Sequence, residues 1–279
     1  MKKLLSIMLV LALAISLAAC GTPATTSTGG SDVPSDLSTP DASGNYVQGI
    51  TDTQVVIGNS AATSGAYASV GVPFLAGLEA YLEMVNSQGG IDGREIVFNH
   101  ITDDEFDPAK GKAALANLVE DEKVFAIVGH FGTPVVAATV DDLKEYGIPA
   151  VYFATGIGQL YAEEAKTDAE GYNIFPVQPI YVTEGSIMIA YAAGEFEASK
   201  VGIIYTNDDA GMDMYRGATA QAEKIGLEVV ADQVTAASAD VSAAVTSINN
   251  ADVDFILVAS IQATVPTIVK HLAAQSVTQ

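Results

Sequence analysis

Apolar residues along this chain follow two alternating patterns. Short unbroken runs, such as Gln54-Val55-Val56-Ile57-Gly58 and Phe125-Ala126-Ile127-Val128, have the length of buried strands. Between them, apolar positions recur every three or four residues. Phe74, Leu75, Leu78, Tyr81, Leu82 and Val85 would line one face of a helix. These patterns predict strands at 54–58, 94–101, 125–128 and 150–153, then at 200–205, 227–234 and 254–259. Helices are expected from Pro73 to Gly89-Gly90, from Asp107-Pro108 to Glu122, and after Thr133-Pro134. Further helices are expected over 183–196, over 212–225, from a cap at Asp240 to Asn250, and over 265–274. Strands alternating with helices argue an α/β fold, with parallel sheets covered on both faces. Two such series in succession argue two doubly wound lobes, residues 51–176 and 177–279, with a cleft between them. The crossover Phe175-Pro176-Val177-Gln178-Pro179-Ile180-Tyr181-Val182 joins them, and its two prolines limit how it bends.

In open α/β sheets, ligands bind outside the carboxyl ends of the strands. That rule gathers loops 59–71, 129–133, 154–158 and 206–211 around the cleft, all of them small or polar. In Gly129-His130-Phe131-Gly132-Thr133-Pro134, threonine suits a helix N-cap and proline suits the first turn. Thr133 therefore either caps its helix or offers its hydroxyl to a ligand, while N–H groups of the first turn bind a carboxylate. Asp208-Asp209 either meets an ammonium group or forms a solvated acidic turn ahead of the next helix. No arginine lies in these loops, so the pattern suits a single carboxylate and not a phosphate.

The N-terminus adds an address. Lys2-Lys3 precedes the apolar run Leu4 to Leu17, which is shorter than a membrane span, and Leu17-Ala18-Ala19-Cys20-Gly21 follows. The last five residues resemble a bacterial lipobox, in which the cysteine is lipidated and becomes the mature N-terminus. Residues 1–19 then read as a lipoprotein signal peptide. Residues 20–50, rich in Gly, Thr, Ser, Pro and Asp, read as a flexible low-complexity tether, because they cannot bury enough surface to offset their ordering entropy. Cys20 is the only cysteine, so no disulfide can form within the chain. The expected location is extracytoplasmic, at a bacterial cell surface or in a periplasm, with the membrane held through Cys20.

Charge and chemistry exclude other functions. The chain has 279 residues, 12 basic against 34 acidic, and a formal net charge of -22. Without Lys2 and Lys3 the balance is 10 against 34, or -24. Such a surface repels nucleic acid. The sequence lacks a Gly-x-Ser-x-Gly elbow and a His-Glu-x-x-His pair, and its histidines, His100, His130 and His271, are scattered. Only His130 lies near the cleft. The reading is a non-enzyme with no cofactor and no metal.

From residue 53 onward the chain resembles the branched-chain amino acid (Leu/Ile/Val-type) substrate-binding proteins of ABC importers. The resemblance rests first on "SGAYASVGVPFLAGLEAYLEMVNSQGGIDGREI", within which Asn86 to Arg94 is the most specific part. It is extended by "TDDEFDPAKGKAALANLV", "FGTP", "FATG", "QPIYVTEG" and "YTNDDAGMDMYRG". It implies a type I periplasmic-binding-protein fold whose lobes close on a ligand. By matched position it implies ligand contacts from Thr133, from Ala154, Thr155 and Gly156, from Tyr181, from Asp208 and Asp209, and from Ile261. Ala210 and Ile261 stand where relatives often carry aromatics, which weakens any transfer of amino-acid specificity. Family members also continue further, so the chain is expected to be a fragment lacking the segment that returns to the first lobe. The implied function is delivery of a small carboxylate-bearing solute (a branched-chain or other amino acid, or a related organic acid or amide) to ABC permease subunits. The alternative is a ligand-sensing or regulatory subunit on the same fold, signalling to a membrane partner.

Overall fold

The computed structural model describes residues 38–40, 46–161 and 173–277. The signal peptide, Cys20 and most of the tether lie outside the described residues. A first sheet is built from β3 (Gln54–Ala61), β4 (Glu95–Asp103), β5 (Ala126–Val128), β6 (Ala150–Val151) and β7 (Ile174–Phe175). Its order is β4-β3-β5-β6-β7 and every neighbouring pair is parallel. A second sheet, β8 (Lys200–Thr206), β9 (Glu228–Val234) and β10 (Phe255–Ala259), runs β10-β8-β9 and is also parallel. Ahead of both, β1 (Ser38–Pro40) and β2 (Tyr46–Gln48) form an antiparallel pair. Helices α1 (Ala68–Ser87), α2 (Pro108–Ala116), α3 (Thr133–Tyr146), α4 (Tyr181–Glu195), α5 (Asp209–Ile225), α6 (Ser242–Asn250) and α7 (Thr264–Ala274) alternate with the strands.

The strand order places the ligand-binding end. In the first sheet the chain steps from β3 outward to β4, then returns to the other side of β3 with β5. In the second sheet it does the same around β8, with β9 on one side and β10 on the other. At such a switch point, consecutive loops diverge and leave a crevice at the carboxyl ends of the strands. The segments after β3, β5, β8 and β10 therefore border the crevices. A single buried apolar cluster links the sheets, from Ile127 and Val136 through Ile157 and Tyr181 to Met214 and Leu257.

Several boundaries move, each for a tertiary reason. The sequence reading extends the tether to residue 50, but residues 46–50 are fixed to the first sheet. Gln48 Nε2 donates to Val119 O at 3.0 Å and Val124 O at 2.9 Å, and Val56 N donates to Gly49 O at 2.8 Å. β3 runs past its predicted end and buries Asn59 and Ser60. Their polarity marks them as loop in the sequence. In the fold, Asn59 Nδ2 donates to Val128 O and Gly129 O, at 2.8 and 2.6 Å. α1 begins at Ala68 and contains Pro73, which the sequence places at the helix start. Gly71 brings the first turn of α1 onto the segment after β3, where any Cβ would sit 2.0 Å from Ala62 O. β6 stops at Val151, because Tyr152 adopts φ 59° and leaves the extended region. Asp240 lies one residue before the N-cap Val241, yet its carboxylate still accepts from Ser242 N at 3.0 Å.

By length and composition, Gly65–Ser87 is apolar enough to cross a membrane. Here its inner side, with Gly71 and Leu75 buried, packs against the first sheet. Its outer side leaves Tyr81 at 61% and Met84 at 45% exposure. Beside them an apolar groove of about 700 Å³ is lined by Leu78, Tyr81, Leu82 and Val128. Contiguous exposed apolar surface drives association. Residues 47–279 alone are expected to self-associate in light scattering, and Tyr81→Lys with Met84→Lys to return them to monomer. A wild-type chain that stays monomeric would contradict this.

Candidate functional site

The loops that follow β5, β6 and β10 meet the crossover and helices α4 and α5 around one cavity of about 570 Å³. The volume is that of a small-molecule pocket. Phe131, Thr133, Phe153 and Ala154 line it from the first sheet. Gln178, Tyr181 and Glu184 line it from the crossover and α4, and Met214 from α5. Ser260, Ile261 and Gln262 close it from the loop after β10.

Thr133 is not the N-cap. That position is Gly132, at φ 98° and ψ 123°, and no side chain caps the helix. Glycine is required here twice over, since φ is positive and a Cβ would fall 2.7 Å from the Phe106 ring. Thr133 is the first helical residue, and its hydroxyl instead pairs with that of Thr155 at 2.9 Å. Both are buried, at 2% and 0% exposure. The first bond inside the helix runs from Val136 N to Gly132 O, so the Thr133 N–H lies ahead of it, where the helix dipole favours a negative charge.

Sequence reasoning passed over the residue that steadies this corner, Asp104. Its side chain is fully buried, accepts from Ser60 Oγ at 2.5 Å and from Phe106 N at 2.8 Å, and burial raises its pKa. The Phe106 ring it positions covers Gly132 and stacks on Tyr67 at 3.7 Å. The run Asp103-Asp104-Glu105 gives no sign of which acid turns inward.

The other predicted residues divide. Ala154, Tyr181 and Ile261 line the cavity with Thr133, whereas Thr155 sits behind Thr133 as its partner. Gly156 faces the crossover, where a Cβ would lie 2.2 Å from Pro179 O, and its carbonyl accepts from Tyr181 N at 2.8 Å. Asp208 is the N-cap of α5; its Oδ1 accepts from Gly211 N at 2.9 Å and Thr206 Oγ1 at 2.8 Å. Asp209 begins that helix, its pKa raised by burial and by the neighbouring Asp213 and Asp208. Neither aspartate lines the cavity. His130 is buried and structural. Its Nε2 pairs with Thr139 Oγ1 at 2.8 Å and its Nδ1 lies 3.4 Å from Ser60 O, and burial lowers its pKa to about 4. Among the described residues, no cluster of His, Cys, Asp and Glu could hold a metal ion.

Two parallel sheets with a cavity between their switch points are the architecture of two-lobed binding proteins. A family model described as periplasmic binding protein matches residues 54–279. The chain belongs to the periplasmic binding protein family. Relatives of this family include an amino acid binding protein of Pseudomonas aeruginosa, 26% identical over 225 residues. That match spans 80% of this chain and 58% of the relative. Leu/Ile/Val-binding protein homolog 2 of Brucella abortus is 23% identical over 81% of this chain and 59% of its own length. The chain thus spans somewhat over half the length of these relatives. Solved structures agree in fold. A branched-chain amino acid transporter substrate-binding protein of Streptococcus pneumoniae, in complex with isoleucine, superposes at TM-score 0.71 with 24% identity. The superposition covers 81% of this chain and 63% of that one. A fatty acid ABC transporter substrate-binding protein of Thermomonospora curvata also reaches 0.71, with 22% identity, covering 83% and 57%. Two such different ligands on one architecture mean that the fold does not name the solute.

Proposed function

We propose that this protein is an extracytoplasmic solute-binding protein that captures a small carboxylate-bearing molecule and delivers it to an ABC importer. The observation that carries this reading is Thr133, at the open N-terminal end of α3, lining a cavity walled by both sheets. A carboxylate there gains the helix dipole, a backbone N–H and a hydroxyl that Thr155 holds in place. Apolar walls from Phe131, Phe153 and Ile261 suit the body of a small organic acid. The binding-protein relatives support transport, and the lipobox-like Leu17 to Gly21 supports anchoring through Cys20. Closure of the two lobes about the crossover would trap the ligand.

Calorimetric titration against amino acids and simple organic acids tests the reading. Binding of one small carboxylate per chain, lost in its amide or ester, is the expected result, and failure of every carboxylate to bind overturns it. For the anchor, Cys20→Ser is expected to abolish metabolic labelling by fatty acid and leave the protein unprocessed or released. Unchanged labelling would show the lipobox reading to be wrong.

A further inference from the structure

One aspartate of α5 reaches across to the first lobe. Asp213 is only 6% exposed, although its helix packs against the second sheet. Its Oδ2 accepts from the backbone N–H of Gly158 at 2.8 Å. Gly158 opens the short turn Gly158–Tyr161, which follows β6 of the first sheet. The other oxygen, Oδ1, takes the Arg216 guanidinium, one helical turn further along α5.

A second aspartate at the same helix end faces the first lobe too. Asp208, the N-cap of α5, lies near enough to Tyr67, in the segment after β3, to raise its pKa, with burial the larger cause. Asp209 completes the group, its pKa raised by burial and then by the charges of Asp213 and Asp208. Carboxylates gathered in this way repel one another, and a buried one is tolerated only when it is hydrogen-bonded and paired. Asp213 meets both conditions with one donor from each side, Arg216 from its own helix and Gly158 from the first lobe. The bond from Tyr181 N to Gly156 O, at 2.8 Å, belongs to the crossover, about which the lobes turn. The Asp213 bond joins the two bodies outside the crossover, so parting the lobes breaks it.

We propose that Asp213 is a latch between the lobes: its carboxylate, steadied by Arg216, holds the Gly158 N–H and biases the protein without ligand toward the closed arrangement. The position of that equilibrium sets how much of a solute's binding energy is spent on closure. The latch acts whether or not a solute is present, so it stands apart from the carboxylate reading.

Single-molecule energy transfer on the full chain, with no solute added, tests it. Dyes go on Ser87→Cys and Lys224→Cys, exposed sites at the ends of α1 and α5, with Cys20→Ser removing the native thiol. Asp213→Ala should lower the closed-to-open ratio at least about fivefold, the effect of losing one charge-assisted hydrogen bond. Asp213→Asn keeps an oxygen for Gly158 and should lower it less. Arg216→Gln alters a side chain that is 69% exposed and should lower the ratio about twofold. Thermal unfolding shows which variants are folded. An unchanged ratio in folded Asp213→Ala overturns the latch, even if stability falls, because Asp213 would then serve only to pack α5. If Asp213→Ala does not fold, Arg216→Gln decides, and an unchanged ratio there overturns it.

Discussion

Thr133→Val is expected to weaken carboxylate binding by about 1–3 kcal/mol, the cost of leaving a polar ligand group unpaired in a water-poor cleft. Valine keeps the shape of threonine and removes only the hydroxyl. The same substitution strips Thr155 of its partner at a site that is 0% exposed, so ligand-free stability should also fall by about 1–3 kcal/mol. Thr155→Val should cost a similar amount of stability for the reciprocal reason. Its effect on affinity should be smaller and indirect, since its hydroxyl orients Thr133 and is not in the cavity lining. The double variant Thr133→Val with Thr155→Val is the discriminating case. It removes both hydroxyls together, so its stability loss should be less than the sum of the singles. Denaturant unfolding without ligand gives the stabilities, and calorimetric titration gives the affinities. Additive losses would show that the two hydroxyls are not a pair. Unchanged affinity in Thr133→Val would show that this helix start is packing alone.

Gly217→Ala should be the most damaging methyl group that can be added to the second half of the chain. α4 and α5 cross through two glycines. A Cβ at Gly217 would lie 1.8 Å from Val182 O, and one at Gly185 would lie 2.0 Å from Met214 O. Between them Ser186 Oγ donates to Val182 O at 3.0 Å and to Gly217 O at 2.9 Å. The atoms met are backbone carbonyls, which cannot swing aside as a side chain would, so the helices must separate. Overpacking of this kind costs about 1–3 kcal/mol and here belongs at or above the top of that range. Because α4 carries Tyr181 and α5 carries Met214 into the cavity, affinity should fall together with stability. Gly194→Ala, on the same α4 but with open space around its Cβ, is the control and should be neutral or slightly stabilising. Equal behaviour of the two variants in thermal unfolding would refute the close-crossing account.

The sequence alone was enough for the alternation of strands and helices, and with it the parallel sheets. Hydrophobic periodicity is a local property, and packing here did not override it. Asp107-Pro108 is a local signal of the same kind: the carboxylate caps α2 through Ala109 N and Lys110 N, at 2.8 and 2.9 Å, as the residue pair predicts. The resemblance of particular segments indicated the family, and at Thr133, Ala154, Tyr181 and Ile261 it named residues that line one cavity. Position in a loop could not say which polar groups turn inward. Asn59, Ser60 and Asp104 are buried because neighbouring strands bring them partners from far along the chain. Thr133 is a good cap by composition, yet a partner 22 residues away takes its hydroxyl, and Gly132 occupies the cap position. Ser260 and Gln262 carry no sequence signal beyond their place after a strand. Only the strand order, which puts β10 beside β8 and its loop at a switch point, brings them to the wall of the cavity that Thr133 also lines. Local patterns fix which elements form, because each element's free energy depends on neighbours in sequence. Which side chains share a cavity depends on contacts between elements far apart in sequence, and the tertiary fold alone decides those.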